Sequence, residues 1–520
     1  MALTEIRQER GVAENSAHPI LLLGALVSLA FVAIPIYYLI SRALFGGATN
    51  LEVLVFRGKT LEIAATTIGL ALIVATFASI FGVSIAWTLH NVAIPQLNLM
   101  KALTIVPIAI PSYVFTYCWL SLEFLGRGFL PAAIVLILGT TPYVIIAGLA
   151  GLRRIDSAQG DVARTLGLSN FQSFRKITWP QIRNAVAAGS LLSALCVLSD
   201  FGTVSLMGVD TFTRAIQNTY QSTFDRSAAA TLAIALVLIS TVLIVIEHRS
   251  RINFKLTRSS AALVRNPELQ IGLKSKIGGS LLVYGYVLVA LVLPLSVLVD
   301  RFFTNAELLD LGKLWIASLS TIVVSTLGAG LALLLAIPIA LLAIRGSFLG
   351  RLSDRSVLVV HALPGIVMGL ALVSLGSDFP LIYQTTLLLA LAYSLLFMAK
   401  SVGAIRAALD RVPRNLLEIS ATLGQSRPAT FRRILLPLAA PGVLSGLLLV
   451  LLAAMKELPA TLMLRPTGFE TLATEMWSYT SISRFSEAAP YALLLVLIAA
   501  VPAFLINRPD RDENESGELL

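Results

Sequence analysis

Apolar and polar positions do not alternate along this chain; they come in blocks. Long runs of Leu, Ile, Val, Ala and Phe are separated by shorter polar stretches. Twelve apolar blocks can be drawn, near 20–41, 60–88, 102–124, 129–151, 184–207, 227–247, 278–300, 315–344, 356–376, 381–402, 436–456 and 487–507. Each is about as long as a helix must be to cross a bilayer. A helix satisfies its own backbone hydrogen bonds in lipid, so the pattern predicts an all-α integral membrane protein of about twelve transmembrane helices. The block from Ile20 to Ile40 is long for the core of a signal peptide, and no small-residue cleavage pattern follows it. It is expected to remain as the first span.

Two polar inserts interrupt this pattern: "VARTLGLSNFQSFRKITWP" from Val162 to Pro180 and "ISATLGQSRPATFRRILLP" from Ile419 to Pro437. They are copies. Gly167 and Gly424, Ser169 and Ser426, Phe174 and Phe431, Arg175 and Arg432, Ile177 and Ile434, and Pro180 and Pro437 all lie 257 residues apart. The register continues to Asp200 and Glu457, and upstream Pro111 matches Pro364 at a separation of 253. An even number of spans separates equivalent points, so the halves share one orientation and form two parallel six-helix repeats. The division predicted is a first half over 1–247 with its insert at 152–183, and a basic linker over 248–277. A second half over 278–507 follows, with its insert at 409–436, and then an acidic tail over 508–520.

Read locally, each insert is a short helix, a turn and a second helix. Gly167 and Gly424 are expected to end the first helix in the left-handed region, where a side chain costs energy. Ser169 caps the next helix, with Gln172 completing a capping box, and the second copy is expected to repeat this logic at Ser426. Pro180 and Pro437 are expected to stop that helix and start the following span. Such an insert could be a solvated connection, a DNA-binding helix-turn-helix, or a docking helix for a partner. The DNA reading needs a third packing helix, and here a membrane span begins at once. Two matched copies, capped, apolar on one face and cationic on another, favour docking of two equivalent partner subunits.

Composition fits this picture. The 520 residues are 57% hydrophobic and only 13% charged, against roughly 25% charged in a soluble protein. The net charge of +10 could suggest nucleic acid, but most lysines and arginines fall in the N-terminus, the two inserts, the linker and the other loops of that side. Positive-inside bias therefore places both termini in the cytoplasm and accounts for the charge without nucleic acid. The two cysteines, Cys118 and Cys196, lie in apolar runs and read as buried small residues. No nucleophile–base pair or metal-ligand cluster stands out among the four histidines and their neighbours, so there is no catalytic candidate and no firm metal site.

The inserts resemble the EAA loop of permease subunits in bacterial ABC importers: an acid, an alanine, a glycine, and then Ile-x-x-Pro. The positions are Asp161, Ala163, Gly167, Ile177 and Pro180, then Glu418, Ser420, Gly424, Ile434 and Pro437. The first copy departs with Asp for Glu and with Arg164, the second with Ser420. The resemblance spans nearly the whole chain. Fused permeases of this kind serve ferric-iron and thiamine importers, and the stretches Leu198–Ile216 and Met455–Thr474 are similar to the iron branch. The resemblance implies a type I importer permease in a bacterial inner membrane. It implies two separate ATPase subunits gripping the inserts, an extracytoplasmic binding protein, and alternating access between them. ATP and its magnesium would be used by the ATPases, since no phosphate-loop sequence occurs here, and this chain would bind no cofactor. Thiamine, a polyamine or another small solute is the alternative cargo, and an ion-coupled carrier the alternative machine.

Inside the membrane, Asp200 and Glu457 are candidates to line a cation path, since intramembrane carboxylates usually face a cavity or a partner. Placement at the interface in water, or neutralisation of Glu457 by Lys456, would also explain them. Pro111 and Pro364 are expected to kink spans three and nine and shape a gate. Tyr113, Tyr117 and His361 flank those prolines and read mainly as packing residues, with Tyr117 kept as a pathway candidate. The loops 208–226 and 465–486 are candidates for contact with the binding protein.

Overall fold

A computed structural model describes residues 19–45, 58–155, 159, 162–163, 165–223, 225–256, 273–304, 310–344 and 348–506. The N-terminal segment with Arg7 and Arg10, Asp161, Arg164, the middle of the basic linker and the acidic tail lie outside the described residues. The described residues are helical and contain no strand. Among the described residues, ten helices are long and apolar enough to cross a membrane, or eleven if one bent pair counts as a span. Their outer faces are oily: Gly58–Asn91 exposes Leu61, Ile68, Leu72, Phe77 and Ile80, as a lipid-facing stripe should.

At the two prolines the expected kinked spans are broken ones. Span three is not a kinked helix but two pieces, Leu97–Ala109 and Ser112–Ser121, at 96° to each other. Span nine is likewise split into Phe348–His361 and Gly365–Asp378. Pro111 and Pro364 both have extended ψ, 145° and 153°. The residue before Pro111, Ile110, is extended as well, with ψ 123°. A proline ring disfavours the helical region for the residue before it and removes an N–H, so the helix restarts instead of bending.

The chain forms two compact units. Among the described residues, one gathers 19–41, 310–475 and 494–506; the other gathers 42–304 and 476–493. These units do not follow the repeat boundary, because the opening helix of each half packs with the other half. In the first unit, Ser28 Oγ donates to the Leu335 carbonyl at 2.9 Å. In the second, Tyr284 and Tyr286 hydroxyls on the helices of 273–304 donate to Pro95 and Leu138 carbonyls, both at 2.9 Å. The linker also changes: the helix Arg226–Leu256 runs into its first residues, and Leu273–Val287 begins within its last.

Within each unit the same crossings recur at the repeat spacing. A Cβ on Gly189 would sit 2.9 Å from Ala147 Cβ, and one on Gly446 would sit 2.5 Å from Ala404 Cβ. Both pairs are 257 residues apart. At the next crossing the residues exchange places: Gly151 faces Ala185 in the second unit, and Ala408 faces Gly442 in the first. The fold keeps the combined size of a contact pair and not the identity of each member. Small residues let backbones approach closely where lipid offers no hydrophobic drive.

A third repeated contact ties down the segments after Val209 and Glu470. The Phe212 N–H donates to Thr67 Oγ1 at 3.1 Å, and the Leu472 N–H to Thr321 Oγ1 at 2.9 Å. Each N–H opens a helix, Phe212–Asn218 or Leu472–Ser481, and such N–H groups have no partner within their own helix. Thr67→Val and Thr321→Val should each lower the thermal stability of the detergent-purified chain by about 1–3 kcal/mol, with Thr→Ser close to wild type. Equal effects of Val and Ser would show that the hydroxyls contribute nothing.

Candidate functional site

Each insert is built as the residue types dictate. Gly167 has φ +76° and Gly424 φ +68°. The Leu168 N–H bonds the Ala163 carbonyl, and the Gln425 N–H the Ser420 carbonyl, both at 3.1 Å. These are the six-to-one bonds of a Schellman end, which needs a left-handed residue at the glycine position. Ala163 and Ser420 are buried beneath the turn, so a small side chain is required there. In the first copy the capping box forms: the Gln172 N–H bonds Ser169 Oγ at 3.3 Å and the Ser169 N–H bonds Gln172 Oε1 at 3.0 Å. The second copy has Ala429 at the corresponding place and cannot form it. It uses another tie: Ser420 and Thr430 hydroxyls share a hydrogen bond of 2.7 Å. The departure from alanine at 420 thus holds the two arms of its insert together.

Pro180 and Pro437 do not stop the helix. One helix runs on through each, as Phe171–Ser199 and Phe431–Met455. A single wide turn precedes each proline, Phe174–Thr178 and Phe431–Leu435. There the Trp179 N–H reaches back to the Phe174 carbonyl and the Leu436 N–H to the Phe431 carbonyl, five residues earlier. A proline cannot donate and its ring crowds the carbonyl four residues before it; a π turn opens the spiral at that point. Gln181 Nε2 then takes the Ile177 carbonyl at 3.1 Å. Arg175, Arg432, Ser426 and Glu418 are exposed, while Phe174, Ile177 and Ile434 are half-buried. Phe174 leans on Trp179 with ring centroids 6.4 Å apart.

The feature that sequence reading missed is the apolar edge before each turn. Val162 and Leu166 are exposed, Leu166 to 74%, and so are Ile419 and Leu423, the latter to 72%. They are spaced four apart on a helix, hence on one face, and Leu166 and Leu423 differ by the same 257 residues. Phe171 and Phe431, on the helix after each turn, are exposed as well. The signal was available: paired apolar residues on an otherwise polar segment, in both copies.

The intramembrane candidates are placed differently from one another. Asp200 is 8% exposed, and its Oδ1 accepts from the Thr203 N–H at 2.9 Å and the Val204 N–H at 3.3 Å. Glu457 Oε1 accepts from the Ala460 N–H at 3.2 Å. Lys456 is half-buried and caps the end of Leu436–Met455, its N–H on the Ala453 carbonyl. Tyr117 is fully buried, and its hydroxyl donates to the Phe485 carbonyl at 2.6 Å. Among the described residues, no group of three or more His, Cys, Asp or Glu could hold a metal ion. In the loops 208–226 and 465–486, Arg214 pairs with Asp210 at 2.7 Å, and Arg465 with Glu470.

Known proteins agree with this architecture. The chain is 30% identical over 486 residues to the Fe(3+)-transport system permease protein FbpB 2 of Haemophilus influenzae, covering 92% of this chain and 96% of that protein. It is 22% identical to the ferric transport system permease protein FbpB of Actinobacillus pleuropneumoniae, covering 92% and 76%. A probable molybdenum ABC transporter permease of Haloferax volcanii is 31% identical over 44% of this chain and 89% of its own length. The model of one family matches twice, over residues 78–249 and 328–508, once in each half and each time across an insert. With its paired inserts and its many apolar spans, the chain is a multi-pass permease of an ABC importer and belongs to the family of binding-protein-dependent transport system inner membrane components.

Proposed function

We propose that this permease carries ferric iron, handed over by an extracytoplasmic binding protein, and that a pair of separate ATPase subunits drives it from the cytoplasm through the two inserts. Both termini and both inserts then lie on the cytoplasmic side, and the loops 208–226 and 465–486 meet the binding protein. The observation that carries the reading is the matched pair of exposed edges, Val162 with Leu166 and Ile419 with Leu423, each held beside a left-handed glycine. A rigid, twice-presented apolar edge suits two copies of one partner. The cargo reading is supported by relatives named for ferric transport, aligned over 92% of the chain. Rocking between two states, biased by nucleotide on the ATPases, would open the path alternately to each side.

The test is a mild-detergent pull-down from native membranes. An ATPase should be recovered at about two copies per chain, one for each insert. Leu166→Asp with Leu423→Asp should cut that recovery at least tenfold, since each change puts a charge where about 1.5–3 kcal/mol of apolar burial is expected. Undiminished recovery would remove the edges from the interface, and no ATPase at all would favour an ion-coupled carrier. Uptake of labelled ferric iron against labelled thiamine then decides the cargo.

A further inference from the structure

Asp200 and Glu457 occupy equivalent places, yet their surroundings differ in a compensating way. In the second unit, the Asp200 carboxylate caps the short helix Gly202–Leu206 and lies beside Ser112, whose carbonyl accepts from the Thr203 hydroxyl at 3.5 Å. Ser112 is the first residue of Ser112–Ser121, the helix that restarts after Pro111. Thr203 adds a second link to that helix: Thr116 Oγ1 donates to Thr203 Oγ1 at 3.0 Å. In the first unit, Glu457 caps the short helix Pro459–Leu464. Its Oε1 lies against Gly365, where a Cβ would otherwise stand. Gly365 is the first residue of the helix that restarts after Pro364 and is the repeat mate of Ser112, 253 residues on.

The shorter carboxylate therefore faces the serine and the longer one faces the glycine. The carboxylate that is one methylene shorter meets a hydroxymethyl side chain, and the longer one meets bare glycine backbone. The same exchange governs Gly151 with Ala185 against Ala408 with Gly442, where only packing is at stake. A carboxylate kept to bind a passing cation would have no reason to match its length to this neighbour.

We infer that Asp200 and Glu457 are positioning residues: each clips the short helix that follows its span to the restarted end of the proline-broken helix in the same unit, and each clip is matched in length to Ser112 or Gly365. Within each unit the short helix and the restarted half-helix then move as one body. Uptake as a readout rests on the importer reading above; the labelling readout below does not.

The experiment places single cysteines at Val204 and Leu464, both buried on the short helices, in a full-length chain with Cys118 and Cys196 replaced by alanine. Membranes are labelled with a maleimide, and cells expressing the whole transporter are assayed for uptake of ferric iron given as citrate. Asp200→Glu should loosen the clip, raise Val204→Cys labelling and lower uptake by about tenfold, the scale of one buried charged hydrogen bond. Adding Ser112→Gly should return both readouts to within about threefold of wild type. Glu457→Asp should do the same to Leu464→Cys, with rescue by Gly365→Ser. If uptake falls with no change in labelling, or if the compensating partners fail to rescue, the clips are refuted and a direct role on the cargo is favoured. If the parent chain takes up no iron while the labelling pattern holds, only the cargo reading fails.

Discussion

Replacing Gly167 and Gly424 together by valine is expected to abolish transport while leaving the chain in the membrane. Both glycines sit at positive φ, +76° and +68°, and nothing lies within 4 Å of where a Cβ would be built. There is no clash to relieve, so the whole effect comes from backbone conformation. A residue with a Cβ in the left-handed region costs about 1–2 kcal/mol, and a β-branched one lies at the upper end or beyond. The pair would then lose about 2–4 kcal/mol from the docked geometry, which on a scale of tenfold per 1.4 kcal/mol is roughly thirtyfold to nearly a thousandfold. Asparagine tolerates the same conformation, so Gly167→Asn with Gly424→Asn should keep uptake within roughly threefold. Uptake and copurification of the ATPase would be measured together. Valine and asparagine variants that behave alike would show that the turn conformation does not matter. Valine variants that vanish from the membrane would show that the turn serves folding and not coupling.

Gly189→Leu and Gly446→Leu are expected to remove the folded protein altogether when combined. A Cβ on Gly189 would stand 3.0 Å from both the Tyr143 carbonyl oxygen and Val144 Cα, besides Ala147. Those are backbone atoms of a neighbouring helix and cannot rotate aside. Overpacking a tight site costs about 1–3 kcal/mol, and more where backbone must move. Two such sites approach the 5–15 kcal/mol that holds a typical domain together. Size-exclusion profiles of detergent extracts would report the loss of a monodisperse peak. In contrast, Gly151→Ala with Ala185→Gly removes the nearest contact and leaves only Ile182 at 3.3 Å from the new Cβ, so it should keep a monodisperse peak. A well-behaved Gly189→Leu, Gly446→Leu chain would mean that the two helices separate freely at this crossing.

The sequence by itself determined the membrane class, the parallel repeat and the local form of the inserts. Each of these rests on short-range physics. Apolar run length sets a span, and the 257-residue register sets the repeat. A glycine followed by a Ser-x-x-Gln capping box sets the turn and the helix after it. The tertiary structure alone decided what depends on partners distant in the chain or on backbone energies in competition. Whether a proline bends, breaks or passes through a helix is one such case: Pro111 and Pro364 end theirs, whereas Pro180 and Pro437 are carried through by a wide turn just before them. The loss of one N–H is the same in all four; the residue before the proline is extended at Ile110, with ψ 123°, but helical at Trp179 and Leu436, with ψ −47° and −50°. The grouping of opening helices into units was equally hidden, because contacts such as Ser28 with Leu335 span 307 residues. So was the setting of Asp200 and Glu457. Sequence could mark them as costly charges in an apolar region, but only the packed structure shows that Ser112 and Gly365 are the groups they meet, and that the lengths are matched.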